Sequence, residues 1–388
     1  MRILYAALKY DYGDPAAGLG FEHYNFFDTL HRMGHDIQYF DFGTLVQKQG
    51  REVMNQNLVE RAKTDKPDLL LTVLHDDELD PKAIRAVTDS GIPTVNWFCD
   101  DHWRFENYSR HWAPSYRWVV TTAKSALPKY EKIGYRGAIK SQWACNPFLY
   151  RPLGLPPGDD VTFVGMTHGE RRGWIETIRH SGIPVKAWGT GWETGRLDQD
   201  QMIRVFNQSR INLNLSNASA PQLTGSERLR FQARRIVSSA LEATAGGRQI
   251  KMALRSLRHQ EAPTERDIDL SAGEGSHPNQ IKGRDFEVPG CGGFLLTGGA
   301  EDFQEYFRPG KEVVCYSTLG DLIEKVRYYL AHEEERKAIA EAGAARVRRE
   351  HTYVHRFSDI FRQMGLTHEP ADQLLAHPPT PGRVQEIL

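Results

Sequence analysis

The stretch GRDFEVPGCGGFLLTGG, residues 283–299, sets Glu287 ahead of Gly290, Cys291, Gly292 and Gly293 and then an apolar run. Small residues at a helix start leave backbone amides open to an anion, and a carboxylate can grip vicinal hydroxyls such as those of a ribose. Phosphate beside sugar is the chemistry of a nucleotide. The plain alternative is a turn that lets a helix pack on strand 294–297. A second stretch, TFVGMTHGERRGW (162–174), has the form strand, glycine, loop, paired arginines, glycine, helix. It places Gly165, Arg171 and Arg172 after a strand end, where guanidinium forks suit a diphosphate whose charge grows as it departs. WGTGW (188–192) puts Gly189 between aromatics at another strand end, fit for a nucleobase or for an ordinary turn.

Acids gather elsewhere. LHDDELD and FCDDHWRF place His75, Asp76 and Asp77, then Asp100, Asp101 and His102, after two consecutive strands. An acceptor hydroxyl needs a base or an orienting hydrogen bond, and a carboxylate at a cleft floor supplies either. As ordinary structure, these aspartates are helix caps. Gly18 and Gly20, in the loop KYDYGDPAAGLGFEHYN, form a candidate phosphate loop on the weak signal of one G-x-G. The His pairs of HRMGH and HTYVH have a metal-compatible i, i+4 spacing without a third ligand nearby, and no metal site is assigned. Neither a G-x-S-x-G nor a P-loop is present, so serine hydrolase and NTPase chemistry lack their motifs.

These residues need elements to hold them. RILYAAL, DIQYFDF, PDLLLTVLH, IPTVNWF and RWVVTTA are short apolar runs separated by helical patterns, which predicts a parallel sheet covered on both faces over residues 1–150. The prolines of NPFLYRPLGLPPGDD mark a linker. Alternation restarts with DVTFVG, IPVKAWG, RINLNLS, GFLLT and KEVVCY and closes on one long helix, LGDLIEKVRYYLAHEEERKAIAEAGAARVRREH, giving a second α/β domain over 151–357. Two Rossmann-like doubly wound domains then face a central cleft. Residues 217–280 interrupt the second domain with a basic amphipathic helix: Leu229, Ala233, Ile236, Val237, Ala240 and Leu241 recur opposite Arg228, Arg234 and Arg235. Docking on its own domain is the first reading; a lid, or a peripheral membrane contact through 227–258, are the others. Residues 358–388 read as a helix end and a proline-rich tail, wrapped or loose.

The totals exclude several classes. Lys and Arg number 49 against 50 for Asp and Glu, so no global field recruits nucleic acid. Cys99, Cys145, Cys291 and Cys315 are scattered without a C-x-x-C, which fits a reducing compartment, and the cytoplasm is the expected location. The apolar run between Arg2 and Lys9 is too short for a secretory leader.

Residues 280–357 resemble the C-terminal domain of CgeB-like, spore-maturation-type glycosyltransferases, as do DVTFVGMTHGERRGWIETIRHSGIPVKAWGTGW, SRINLNLS and, in the first domain, VNWFCDDHWRF. That family is similar to the GT-B glycosyltransferases. The resemblance implies a nucleotide-sugar donor in the second domain, an acceptor in the first, and transfer without a metal or other cofactor, with retention preferred. It places Glu287 second in an E-x7-E pattern near the ribose, followed by Cys291 and Gly292, and puts Arg172-Gly173 where Lys-Gly meets the diphosphate. Asn279 stands where the first glutamate belongs, a departure that bears on sugar recognition, and Lys282 and Arg284 between the two positions are phosphate contacts or else surface charges. Asp100 and Asp101 become the catalytic candidates. The donor set is Gly165, Arg171, Arg172, Gly189, Lys282, Arg284, Glu287, Gly292 and Gly293. A nucleotide-sugar-binding or scaffold protein without catalysis, and a metal-dependent phosphoryl or sugar-phosphate enzyme, are the alternatives.

Overall fold

A computed structural model describes residues 1–216, 280–367 and 369–387. The amphipathic helix expected within 217–280 and Asn279 lie outside these residues. The described strands form two parallel sheets. In the first, β1 (Arg2–Ala6), β2 (Asp36–Phe40), β3 (Leu69–Thr72), β4 (Thr94–Phe98), β5 (Trp118–Thr121) and β6 (Ala138–Lys140) line up as β2-β1-β3-β4-β5-β6. Side chains alternate across a strand, so Ile3 and Tyr5 enter one core while Leu4 and Ala6 enter the other. Covering helices on both faces explain why these strands read as unbroken apolar runs.

The second sheet joins β7 (Val161–Val164), β8 (Val185–Trp188), β9 (Ile211–Asn214), β10 (Leu295–Gly298) and β11 (Val314–Tyr316) in the order β11-β10-β9-β7-β8. Each sheet has a place where successive strands leave on opposite sides: β2 and β3 flank β1, and β8 and β9 flank β7. Ligands of open α/β sheets bind beyond the strand ends at such switch points.

The chain then returns to where it began. The helix Tyr353–Gln363 lies under the first sheet, where Tyr353, Phe357 and Phe361 share a core with Phe26 and Trp97. Beyond it β12 (Val384–Ile387) pairs in parallel with β2 at the sheet edge, so the tail is a wrap. The outward and returning crossings run side by side: the Cys145 amide donates to the His351 carbonyl (3.3 Å) and the Tyr353 amide to the Cys145 carbonyl (2.9 Å).

Two expected elements differ. The long C-terminal helix is two, Leu319–Ala331 and Glu333–Glu350, broken at His332, whose ψ of 70° leaves the helical region. Glu333, Glu334 and Glu335 then open the second helix, where acidic side chains are favoured. The helix around Glu287 spans Arg284–Gly290, so Gly292 and Gly293 follow its end. Unpaired groups there are carbonyls, and an anion gains nothing from them. Among the described residues no helix is long and apolar enough to cross a membrane.

Candidate active site

A cavity of about 340 Å³ opens between the two sheets, a volume in the range of small-molecule sites. Segments that follow β1, β3 and β4 build one wall, with Glu22, His75, Cys99 and Asp100 among its residues; Lys282, Gly283 and Arg284 build the other. The cavity therefore lies at the switch point of the first sheet and against the start of the helix Arg284–Gly290.

The second wall is cationic. Burial lowers the Lys282 ammonium to about 8, Arg171 adding to the effect and Asp100 opposing it. Arg284 has a buried Nε with no partner and a guanidinium 5.4 Å from the Phe206 ring. Arg171 stands behind them at the switch point of the second sheet. Its Nε and Nη2 donate to the Leu215 carbonyl after β9 (3.1 and 2.8 Å), and Nη1 donates to Met166 after β7 (3.2 Å). His168, pushed down to about 4 by burial and then by Arg171 and Lys282, is neutral at neutral pH.

Two fully buried carboxylates hold this wall in place. Asp285 accepts from Asn214 (2.8 Å), from the Thr297 hydroxyl (2.7 Å) and from the Lys282 amide (2.8 Å), which fixes the backbone that presents Lys282. Burial raises its acid to about 6, offset in part by those donors. Glu287 accepts from the Tyr150 hydroxyl (2.8 Å) and Asn25 (3.3 Å) on one oxygen and pairs with Arg284 through the other. Glu287 is thus turned away from the cavity with its oxygens occupied. The expected ribose anchor is a brace for Arg284.

On the first wall Asp100 lines the cavity and Asp101 does not. Asp101 is fully buried and accepts from the Tyr130 hydroxyl at 2.8 Å. Asp76, with its side chain 65% exposed, also misses the cavity, its carboxylate 3.8 Å from Arg104. Arg104 donates to the His75 carbonyl (2.8 Å) and stacks on Tyr108 at 4.0 Å, which shapes the floor. The loop after β1 contributes Asp11 and Tyr12, and the start of the helix that follows it contributes Glu22. Tyr12 holds a left-handed φ of 50°, uncommon for a residue with a side chain. Its ring meets the His75 ring edge-on at 5.5 Å, and Asp11 pairs with Arg196 across the cleft. Gly18 is exposed on that loop, whereas Gly20 is buried two residues before Glu22.

Other expected donor residues lie elsewhere. Arg172 points to the surface, paired with Glu193 at 2.8 Å and over the Trp192 ring at 5.1 Å. Of the two arginines, Arg171 is the one turned inward. Gly165 and Gly189 serve strand packing: a Cβ on Gly189 would sit 2.4 Å from the Gly165 carbonyl oxygen. Trp192 is buried with its indole N–H donating to that same carbonyl (2.8 Å), so this ring offers no open shelf. Gly293 lets its segment approach Phe206, whose carbonyl oxygen a Cβ would meet at 2.6 Å, and Gly292 takes a left-handed φ of 78° in the turn.

A family model described as glycosyl transferase-like matches residues 171–233 and 242–362. Sucrose-phosphate synthase from Thermosynechococcus elongatus is similar in structure, with a TM-score of 0.56 at 10% identity over 94% of this chain and 98% of that one. HepE from Anabaena, solved in complex with UDP-glucose, has a TM-score of 0.56 at 12% identity over 94% and 99%. No curated protein matches the sequence. The chain has the GT-B fold.

The stretches matched by the family model hold Arg171, Lys282 and Arg284 and leave out the wall from the first sheet, whose residues the sequence marked least well. Glu22, Asp11, Tyr12 and Arg104 were not singled out from it. A signal existed for Glu22: it is the first acid after G-L-G, between the leading strand and its helix, where a doubly wound sheet places ligand contacts.

Proposed function

We propose that the protein transfers a sugar from a nucleoside diphosphate donor to an acceptor nucleophile without a divalent metal. The observation that carries this is the pairing of a desolvated cationic wall, Lys282 and Arg284 backed by Arg171, with a carboxylate-bearing wall across one cavity. A departing diphosphate gains charge, and ammonium and guanidinium groups in a poorly solvated place stabilise it most. Lys282 and Arg284 hold the phosphates, Asp100 accepts a hydrogen bond from the acceptor, and closure of the two halves excludes water. The nucleotide-sugar complex of HepE, a protein of similar fold, supports the choice of donor class. The sequence resemblance to CgeB-like enzymes supports a place in that subfamily. Retention, which the same resemblance implies, is decided by the anomeric signal of the product in proton NMR.

Thermal shift with UDP-, GDP-, TDP- and ADP-glucose, with and without EDTA, tests the reading. A ligand at 100 times its Kd adds about 2.7 kcal/mol to the folded state, and one nucleotide should raise Tm equally in both buffers. No shift from any of them rejects the donor site. A shift abolished by EDTA rejects metal independence, and binding without nucleotide release across an acceptor panel indicates a binding protein.

A further inference from the structure

We propose that Arg356 is a positioning residue for the transfer: it pins the joint between the two halves and so sets how far the Lys282 and Arg284 wall stands from the wall opposite. The role rests on the transferase reading above, which is what makes the spacing of the walls matter. Arg356 belongs to the helix Tyr353–Gln363, whose Tyr353, Phe357 and Phe361 are anchored in a core of the first half. Its guanidinium instead meets the two crossings and the rings of the second half.

Every nitrogen of the fork is used. Nε donates to the Gln142 carbonyl (3.0 Å) and Nη2 to the Trp143 carbonyl (3.3 Å), both on the outward crossing. Nη1 donates to the Glu350 carbonyl (3.4 Å) on the returning one, where Nη2 also faces Nδ1 of His351 at 3.3 Å. The other ring nitrogen of His351 lies 2.8 Å from the Tyr306 carbonyl. A carbonyl only accepts, so Nε2 carries the proton there and Nδ1 accepts from Arg356. Burial, and then Arg356 itself, push His351 down to about 3, which keeps the ring neutral. The HTYVH pair is thereby divided between two tasks, since His355 meets the Thr352 hydroxyl (2.7 Å) at the start of the helix.

The second half meets the same guanidinium through aromatic rings, Phe286 at 5.6 Å and Tyr306 at 5.5 Å. Phe286 belongs to the helix Arg284–Gly290, which opens on the cationic wall, and Lys140 at the end of β6 donates to the Tyr306 hydroxyl (3.0 Å). Among the described residues no carboxylate lies within ion-pair distance of Arg356; Asp359, in the same helix, pairs with Arg362. A cation held without a countercharge is costly. What it supplies is a flat fork whose five N–H groups reach carbonyls of both crossings at once, with faces suited to aromatic rings. Turning one half against the other disturbs these bonds and ring contacts together, so they favour one angle.

The test compares wild type with R356K and R356A. Small-angle X-ray scattering of each protein reads the spread of the halves, and titration calorimetry reads the Kd for whichever of UDP-, GDP-, TDP- and ADP-glucose raises Tm most in wild type. Both variants should fold, by circular dichroism, and show a broader distribution of interatomic distances than wild type. With the binding-ready arrangement reduced to about a tenth of the population, Kd should rise about 10-fold. Saturating nucleotide sugar should narrow the distribution to that of wild type. Guanidinium chloride far below denaturing concentration should restore R356A in both measurements, and sodium chloride at equal ionic strength should not; a general loss of stability would not show that difference. R356K keeps the charge and loses the fork, and should behave as R356A does without guanidinium. Wild-type scattering in both variants overturns the proposal, as does a wild-type Kd beside altered scattering. Failure of both variants to fold overturns it too and leaves Arg356 a structural residue. If wild type binds none of the four nucleotides, the transferase reading falls; the scattering comparison needs no ligand and separates that failure from a failure of Arg356 to pin the joint.

Discussion

Glu287 is fully buried and Glu22 partly buried, and they differ in what meets them. Glu287 has Tyr150, Asn25 and Arg284 on its oxygens, and nearby Asp285 has three donors of its own. Glu22 has no side-chain donor among the described residues, and its nearest strong influence is another acid. A buried charge with every partner in place braces the structure. One that is desolvated and unmatched is held at a cost, which suits a residue that must act on a ligand. Burial alone did not separate the two roles; the hydrogen-bond partners did.

The comparison can be broken most forcefully at the satisfied side. Asp285→Ala leaves Asn214, Thr297 and the Lys282 amide without their acceptor, and should destabilise the fold by about 3 kcal/mol or more in chemical denaturation. A loss below about 0.5 kcal/mol would mean that these bonds contribute little.

Lys282→Met takes the unmatched side. Donor affinity should fall by about 10- to 100-fold, the equivalent of a charged hydrogen bond of about 1.5–3 kcal/mol, as read by titration calorimetry. Stability should hold or rise. Because the folded-state value of about 8 lies below that of a free lysine, the penalty of carrying Lys282 is full below pH 8 and is relieved as pH climbs toward the free value. Any stabilisation by the methionine should therefore be larger at pH 6 than at pH 10.

Arg172→Ala is the smallest change and sharpens the contrast within one arginine pair. Its charged partners are the surface acids Glu176 and Glu193, so both stability and donor affinity should move by no more than about 0.5 kcal/mol. A loss of affinity as large as that for Lys282 would return Arg172 to the donor site.

The strands and their parallel pairing were legible because apolar runs are local signals. The cation side was legible in part: Arg171 follows the strand-loop-helix pattern, and Lys282 and Arg284 came only with the family resemblance. Which arginine of the pair turned inward was not, since it depends on the Leu215 and Met166 carbonyls that only the folded sheet brings together. Glu287 was misplaced for the same reason, because its partners Asn25 and Tyr150 are far away in the chain. The pairing of β12 with β2 joins residues more than three hundred positions apart, and RVQEIL carries too short a pattern to announce it.

The two crossings at Cys145 and Thr352 have a mechanical consequence. A body tied to another by a single strand can swing and twist in every direction. One tied by two hydrogen-bonded strands side by side turns most easily about the line they share and resists rotation across it. The halves of this molecule are coupled as a jaw is to its joint, through the paired segments at Cys145 and Thr352.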